Sequence, residues 1–399
     1  MRGGKFMRPA SSFVLTPNEF RKHFPATGKR AYLNAAASSP LPTPARNAMV
    51  AFAEEVEAQG DAGFSKWLAG MDSVRAGLAH ELNAKASDIA FTPSTSMGVF
   101  AAGALWKARG IDEVLAFSCE FPSTTVPLLK QGLAVKAVQP RADGSLHVAD
   151  LDAACTPRTK AVAVSVVQFA SGYRIDLVGL RDFCRSRGLS LLLNAAQALG
   201  QTVVDVEATG ADFVCAPSHK WLCGGYGQGV MFVRALWRQE TAWPPWAGWL
   251  SLQNALDMKA FPRTPLAMLD SAAALEAGCP AFGQLATFGA SISLLAQLPR
   301  EEGARHIRGL QTTLRTALRR RGFSPNCPDD DATLSGICVV PVDGKPEAAV
   351  AALYGRGVLT SARGGGVRIS THAYNDESDL TRLLTAWDDL GLKPLSANG

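Results

Sequence analysis

The stretch ADFVCAPSHKWLCGGYGQGVMFVR, residues 211–234, sets an apolar run ahead of a single lysine, Lys220, and follows it with Gly224, Gly225, Gly227 and Gly229 before a second apolar run. Lysine is seldom buried without a partner. Short, continuous apolar runs suit strands covered on both faces. The pattern therefore predicts a strand, a rim carrying His219 and Lys220, a glycine-rich return and another strand. A lysine held in a partly apolar cleft has its pKa lowered, because desolvation disfavours the ammonium, and its free amine forms an imine with a carbonyl compound.

Runs of the same kind lie upstream: DIAFTP, EVLAFSCEF, LAVKAVQP, KAVAVSVVQF and LSLLLNAAQ. Helical patterns separate them, such as SMGVFAAGALWKARG and LVGLRDFCRSRG, the latter closed by a glycine suited to a helix end. That alternation predicts an α/β fold with a mostly parallel sheet. TAWPPWAGWL, near residues 241–250, breaks the pattern and is expected as a surface excursion, its tryptophans packing rather than binding. Beyond about residue 285 two helical segments precede SGICVVPV, EAAVAALYGRG, GVRIS and SDLTRLLTAWDDLG, an α+β unit. The expected division is a large domain over 31–284 and a smaller one formed by 1–30 with 285–399.

The chain has 399 residues, of which 47% are hydrophobic and 19% charged, enough for a large core and about two domains. A net charge of +5 with scattered arginines argues against a nucleic-acid surface. No apolar run reaches membrane-spanning length, and the opening MRGGKFMRPASSFVL reads as a loose tail rather than a signal peptide. The eight cysteines are dispersed, without pairs or histidine companions at metal-binding spacing. A reducing cytoplasm is the expected compartment, and no metal is expected.

In a doubly wound sheet, ligands sit outside the carboxyl ends of the strands. FTPSTSMGVF leads from a strand end through Ser94, Thr95 and Ser96 into a helix, where backbone N–H groups and hydroxyls can meet an anion. Serine and threonine also cap helices, so this stretch alone leaves both readings open. Another strand ends in Asn194 and Gln197, and CEFPS offers the flat face of Phe121. An anion cradle, a stacking ring, ring-edge amides and an imine-forming lysine together match what pyridoxal 5'-phosphate (PLP) requires.

The ordered motifs AAAS (35–38), STSMG (94–98), EFPS (120–123), VQFASGYRIDL (167–177), NAAQALG (194–200), SHKWLCGGYGQG (218–229), LEAGCP (275–280) and VRISTHAYNDESDL (367–380) resemble those of the class V aminotransferases of PLP fold type I. That group takes in cysteine desulfurases, selenocysteine lyases, kynureninases and isopenicillin N epimerase-like proteins. The resemblance runs from about residue 30 to 390 and implies a homodimer with shared active sites and an amino acid substrate. It makes Lys220 the lysine that carries the cofactor. It gives Gln197 the ring oxygen, Thr95, Ser96 and His219 the phosphate, and Phe121 the ring face. Ser218 is a further phosphate candidate, although desulfurases place that serine one position earlier, at Pro217 here. Arg368 is implied to grip the substrate carboxylate, with Arg363, Ala36 and Gln168 on the substrate side. The family's phosphate loop that crosses to the partner subunit holds Cys279 in place of threonine, which leaves the backbone N–H but no hydroxyl.

Two departures shape the functional expectation. Asn194 stands where the family has an aspartate that keeps the pyridine nitrogen protonated, so the amide should weaken that protonation by roughly one to two powers of ten. The loop GVLTSARGGGVRIS ahead of Arg368 lacks the thiol that desulfurases carry there, and Cys338 lies in an apolar run expected in the core. The resemblance with these departures implies β-elimination by a C–S lyase-like enzyme rather than a persulfide-forming desulfurase. Transamination or epimerisation is the runner-up, and a catalytically weak PLP-binding protein is the reading from another class.

Overall fold

The computed structural model describes residues 14–240, 242–257, 265–327 and 330–395, so the tail expected ahead of residue 14 falls outside it. After the short β1 (Ala31–Tyr32) come β2 (Ile89–Thr92), β3 (Glu113–Phe117), β4 (Ala134–Val138), β5 (Thr159–Ser165), β6 (Ser190–Asn194), β7 (Phe213–Pro217) and β8 (Gly229–Val233). The seven from β2 onward form one sheet in the order β2-β8-β7-β6-β5-β3-β4, and β8 alone runs antiparallel to its neighbours. The return between β7 and β8 uses the glycines of the opening stretch: Gly225 and Gly227 take φ of +74° and +87°, where a side chain is strained. Strands β2, β3, β5, β6 and β7 thus end along the same edge of the sheet.

The continuous apolar runs follow from burial on both faces. On β7, Phe213 and Cys215 pack with Trp106 of the helix Thr95–Ala108, while Val214 and Ala216 point into the opposite core with Leu191 and Leu193 of β6. Period-two alternation therefore sorts side chains between two cores instead of between core and water. LAVKAVQP is different. It forms the edge strand β4, in which Val138 alone is buried and the Lys136 Nζ donates to the Ala154 carbonyl at 2.7 Å. The tryptophan-rich excursion also lies deeper than expected. Trp243 is buried and Trp246 packs against the same core, with its indole N–H donating to the Leu275 carbonyl at 3.0 Å.

The later part of the chain builds the helix Arg300–Arg320, begun just after Pro299, and then β9 (Ile337–Val340), β10 (Val358–Leu359), β11 (Ser361–Arg363) and β12 (Gly366–Ser370). Strands β11, β12 and β9 form an antiparallel sheet, and β10 pairs in parallel with β1. The amino-terminal segment is tied to this unit a second time, because the Arg21 guanidinium binds the buried Asp379 at 2.7 Å.

A tight turn docks the small sheet onto the large one. Gly364, with φ of +59°, lies so close to the Ala170 carbonyl that a Cβ would stand 1.9 Å from its oxygen. Gly364→Ala should therefore lower stability by about 1–3 kcal/mol, measured by chemical denaturation, through overpacking and an unfavourable φ.

Candidate active site

Lys220 lies three residues beyond β7, on a loop whose shape Ser218 fixes. The buried Ser218 hydroxyl lies 2.6 Å from the Gly225 carbonyl and 2.8 Å from that of Gln228. That engagement turns Ser218 inward, toward its own loop. Lys220 is half-buried, with Nζ 5.6 Å from the centroid of the Phe121 ring. Among the described residues no acceptor or carboxylate binds this amine. Burial first, and the Arg368 charge second, lower its pKa from 10.5 to about 8. His219, stacked on Tyr226 at 4.6 Å, is pushed down to about 4 by burial and by Lys220, so it is a neutral imidazole near pH 7.

Three strand ends and the small sheet meet around this amine. Phe121 follows β3, keeps 43% of its surface exposed, and receives Phe169 edge-on at 5.1 Å. The Phe169 carbonyl accepts from the Arg368 Nη1 at 3.1 Å, and the Arg368 Nε donates to the Ser361 hydroxyl at 3.1 Å. Arg368 is only 3% exposed, yet both of its partners are neutral, and among the described residues no carboxylate pairs with it. Burial, with Arg363 second, lowers its pKa to about 10. Arg363 itself is exposed at the end of β11.

The amides are held by directional contacts. At the end of β6, the Asn194 Oδ1 accepts from the Ala196 N–H at 2.9 Å, and Nδ2 donates to the Thr124 hydroxyl at 2.8 Å. The Gln197 Oε1 accepts from the Trp221 indole at 2.8 Å, and its Nε2 donates to the Ala36 carbonyl at 2.9 Å. The Ala36 N–H in turn donates to the Ser370 hydroxyl at 3.0 Å, linking this corner to β12. The Gln168 Nε2 donates to Glu120 at 2.7 Å, and the buried Gln168 Oε1 has no partner among the described residues. Thr95 opens the helix Thr95–Ala108 beyond β2, with Ser96 next; neither hydroxyl bonds within the described chain, and the capping is done by Ser94, which accepts from the Met97 N–H at 3.4 Å. Cys279 is exposed in the loop after the turn Ala272–Leu275 and joins none of these contacts. One residue escaped the sequence reading. Glu120, buried beside Phe121, receives four hydrogen bonds. Its signal was an acidic residue at the close of the apolar run EVLAFSCEF.

The family model for class V aminotransferases matches residues 31–383. The chain belongs to that family. A probable cysteine desulfurase from Pseudomonas aeruginosa is 26% identical over 402 residues, covering 93% of this chain and 98% of that protein. One from Methanothermobacter thermautotrophicus is 30% identical over 222 residues, a match covering 54% of this chain and only 55% of the relative's length. Among solved structures, the apo cysteine desulfurase from Thermococcus onnurineus superposes with a TM-score of 0.81 at 21% identity, covering 94% of this chain and 98% of that one. The cystine C–S lyase C-DES, in complex with its reaction product cysteine persulfide, gives the same TM-score and identity over 92% of this chain and 99% of its own. At that identity the structural likeness shows the fold, PLP fold type I. As a family member, the protein is a PLP-dependent enzyme acting on amino acids.

The donor set fits that cofactor. An amine without an acceptor among the described residues, a helix start with two unengaged hydroxyls and an exposed aromatic face are the groups a phosphorylated pyridine aldehyde would satisfy. Only the neutral amine attacks an aldehyde. Uptake of PLP by the apoprotein should therefore quicken as pH rises through about 8, followed by growth of visible absorbance after mixing, and Lys220→Ala should abolish it.

Proposed function

We propose that this enzyme is a lyase that removes a β-substituent from a small amino acid, with a sulfur substituent as the best fit. Bound PLP supplies an electrophilic carbon for the substrate amine and a ring that draws off electrons from the α-carbon. In this reading Arg368 binds the substrate carboxylate with its planar fork, which answers a nearly buried guanidinium that meets no carboxylate among the described residues. Phe121 covers the ring face, Thr95, Ser96 and His219 hold the phosphate, and Asn194 and Gln197 hold the ring edge. Arg363, Ala36 and Gln168 line the substrate side. Lys220, with a pKa near 8, then takes the α-proton at Nζ, and the β-substituent departs with its electron pair. With one water taken up, the net products are the departing hydrogen sulfide, thiol or persulfide, ammonia and pyruvate. The reading includes a homodimer in which the exposed Cys279 loop of each subunit reaches the partner's phosphate.

The observation that carries elimination over sulfur relay is the missing thiol. Between β10 and β12 the chain has no cysteine, and Cys338 is fully buried in β9 opposite Ile369. Half-buried Cys119, nearer the cleft, has its pKa raised to about 12 by burial and by Glu120, so it is a poor thiolate. The relatives' names support the second reading, a persulfide-forming desulfurase, and the two differ in product. Incubating the holoenzyme with cysteine and cystine should release pyruvate. Alanine instead would establish the desulfurase, and pyridoxamine phosphate would establish transamination. Arg368→Lys should raise KM for the amino acid about tenfold or more while PLP affinity stays within a few-fold.

A further inference from the structure

The replacement of aspartate by Asn194 leaves open where the site keeps its negative charge, and the hydrogen bonds around Glu120 answer it. The Ser165 N–H and the Gln168 Nε2 both donate to Glu120 Oε1, at 2.8 and 2.7 Å. The Ser165 and Thr124 hydroxyls both reach Oε2, the latter at 3.2 Å. A proton on Oε1 would face two N–H donors. A proton on Oε2 would deprive a hydroxyl of the one acceptor it has. Burial holds the carboxyl's pKa above its ordinary value against the opposing pull of these donors, and the geometry decides for the ionised form, the one that satisfies all four. Thr124 then has a single arrangement: its proton goes to Glu120, and its lone pair accepts from the Asn194 Nδ2 at 2.8 Å.

Resting on the PLP reading above, we propose that the Glu120 carboxylate, relayed through the Thr124 hydroxyl, is the buried anion that orients Asn194 at the ring-nitrogen end of the cofactor, so that a neutral residue belongs at 194. Glu120 is thus a positioning residue. An aspartate at 194 would set two carboxylates against the one Thr124 proton, so that the loser would take up a proton or, at 194, fall back on the Ser123 hydroxyl, which lies 3.4 Å from the Asn194 Nδ2. Glu120→Gln would set two amide donors on the same hydroxyl and leave its proton without an acceptor. Making both changes reverses the Thr124 hydroxyl and restores the bonds on both sides of it, with the charge moved to 194, while the Ser165 hydroxyl turns from donor to acceptor.

The test is a double-substitution cycle with Glu120→Gln, Asn194→Asp and the pair, measuring apoprotein melting temperature, PLP dissociation constant and the visible spectrum of the bound cofactor at one fixed pH. Each single change should lower the melting temperature and weaken PLP binding by roughly ten- to hundredfold, the range for a lost charge-assisted hydrogen bond. The pair should regain affinity to within a few-fold of the parent. Glu120→Gln alone, lacking the anion, should shift the spectrum toward the unprotonated, shorter-wavelength form, and the pair should shift it back. Losses that simply add in the pair, or a Glu120→Gln protein with parental affinity and spectrum, would overturn the relay. A parent protein that takes up no PLP on Lys220 would overturn the functional reading and the relay with it; uptake with additive losses overturns the relay alone.

Discussion

Two cations, Lys220 and Arg368, share one cleft, and among the described residues no carboxylate is bound to either. Burying charge without a partner is costly, and the site shows the cost as two lowered pKa values, each traced first to burial. Such a cleft is poised for anionic ligands. In the proposed reading a substrate carboxylate supplies what the chain withholds from Arg368, and the cofactor's aldehyde takes up the Lys220 amine. The parallel strands aim their ends at one place, the glycine turn at Gly364 lets the small sheet close against the loop carrying Gln168 and Phe169, and β12 brings Arg368 to face Lys220.

Much of this was legible in the sequence, for physical reasons that differ by region. β5, β6 and β7 read as strands because both of their faces are buried, which leaves an unbroken apolar signature bounded by rim residues. The helix Leu177–Arg187 ended where its glycine stands, at Gly188 with φ of +61°. LAVKAVQP showed the limit of that logic. An edge strand with a similar apolar run is exposed, since composition does not report which strand lies outermost. The two-residue strands β1 and β10 have no periodicity to detect, and their pairing depends on contacts more than 300 residues apart in the chain.

Single side chains of distinctive chemistry, Lys220, Gln197 and Phe121, were readable one at a time just past strand ends, whereas Arg368, in the middle of β12, came from the family motif. What composition could not convey was direction. Ser218 turns inward because two loop carbonyls compete for its hydroxyl, and Gln197 is locked by Trp221. Glu120 stayed hidden because its role lies in a network assembled from β3, β5 and the helix Pro122–Lys130. The family settles the cofactor; the proposed reaction rests on details such as the missing thiol ahead of Arg368, since one fold hosts many chemistries.

The account stands on the amine at position 220. Borohydride reduction of the PLP-loaded protein, followed by proteolysis and mass spectrometry, tests it most directly. The phosphopyridoxyl mass should appear on the peptide containing Lys220, and its presence on another lysine, or on none, would contradict the account.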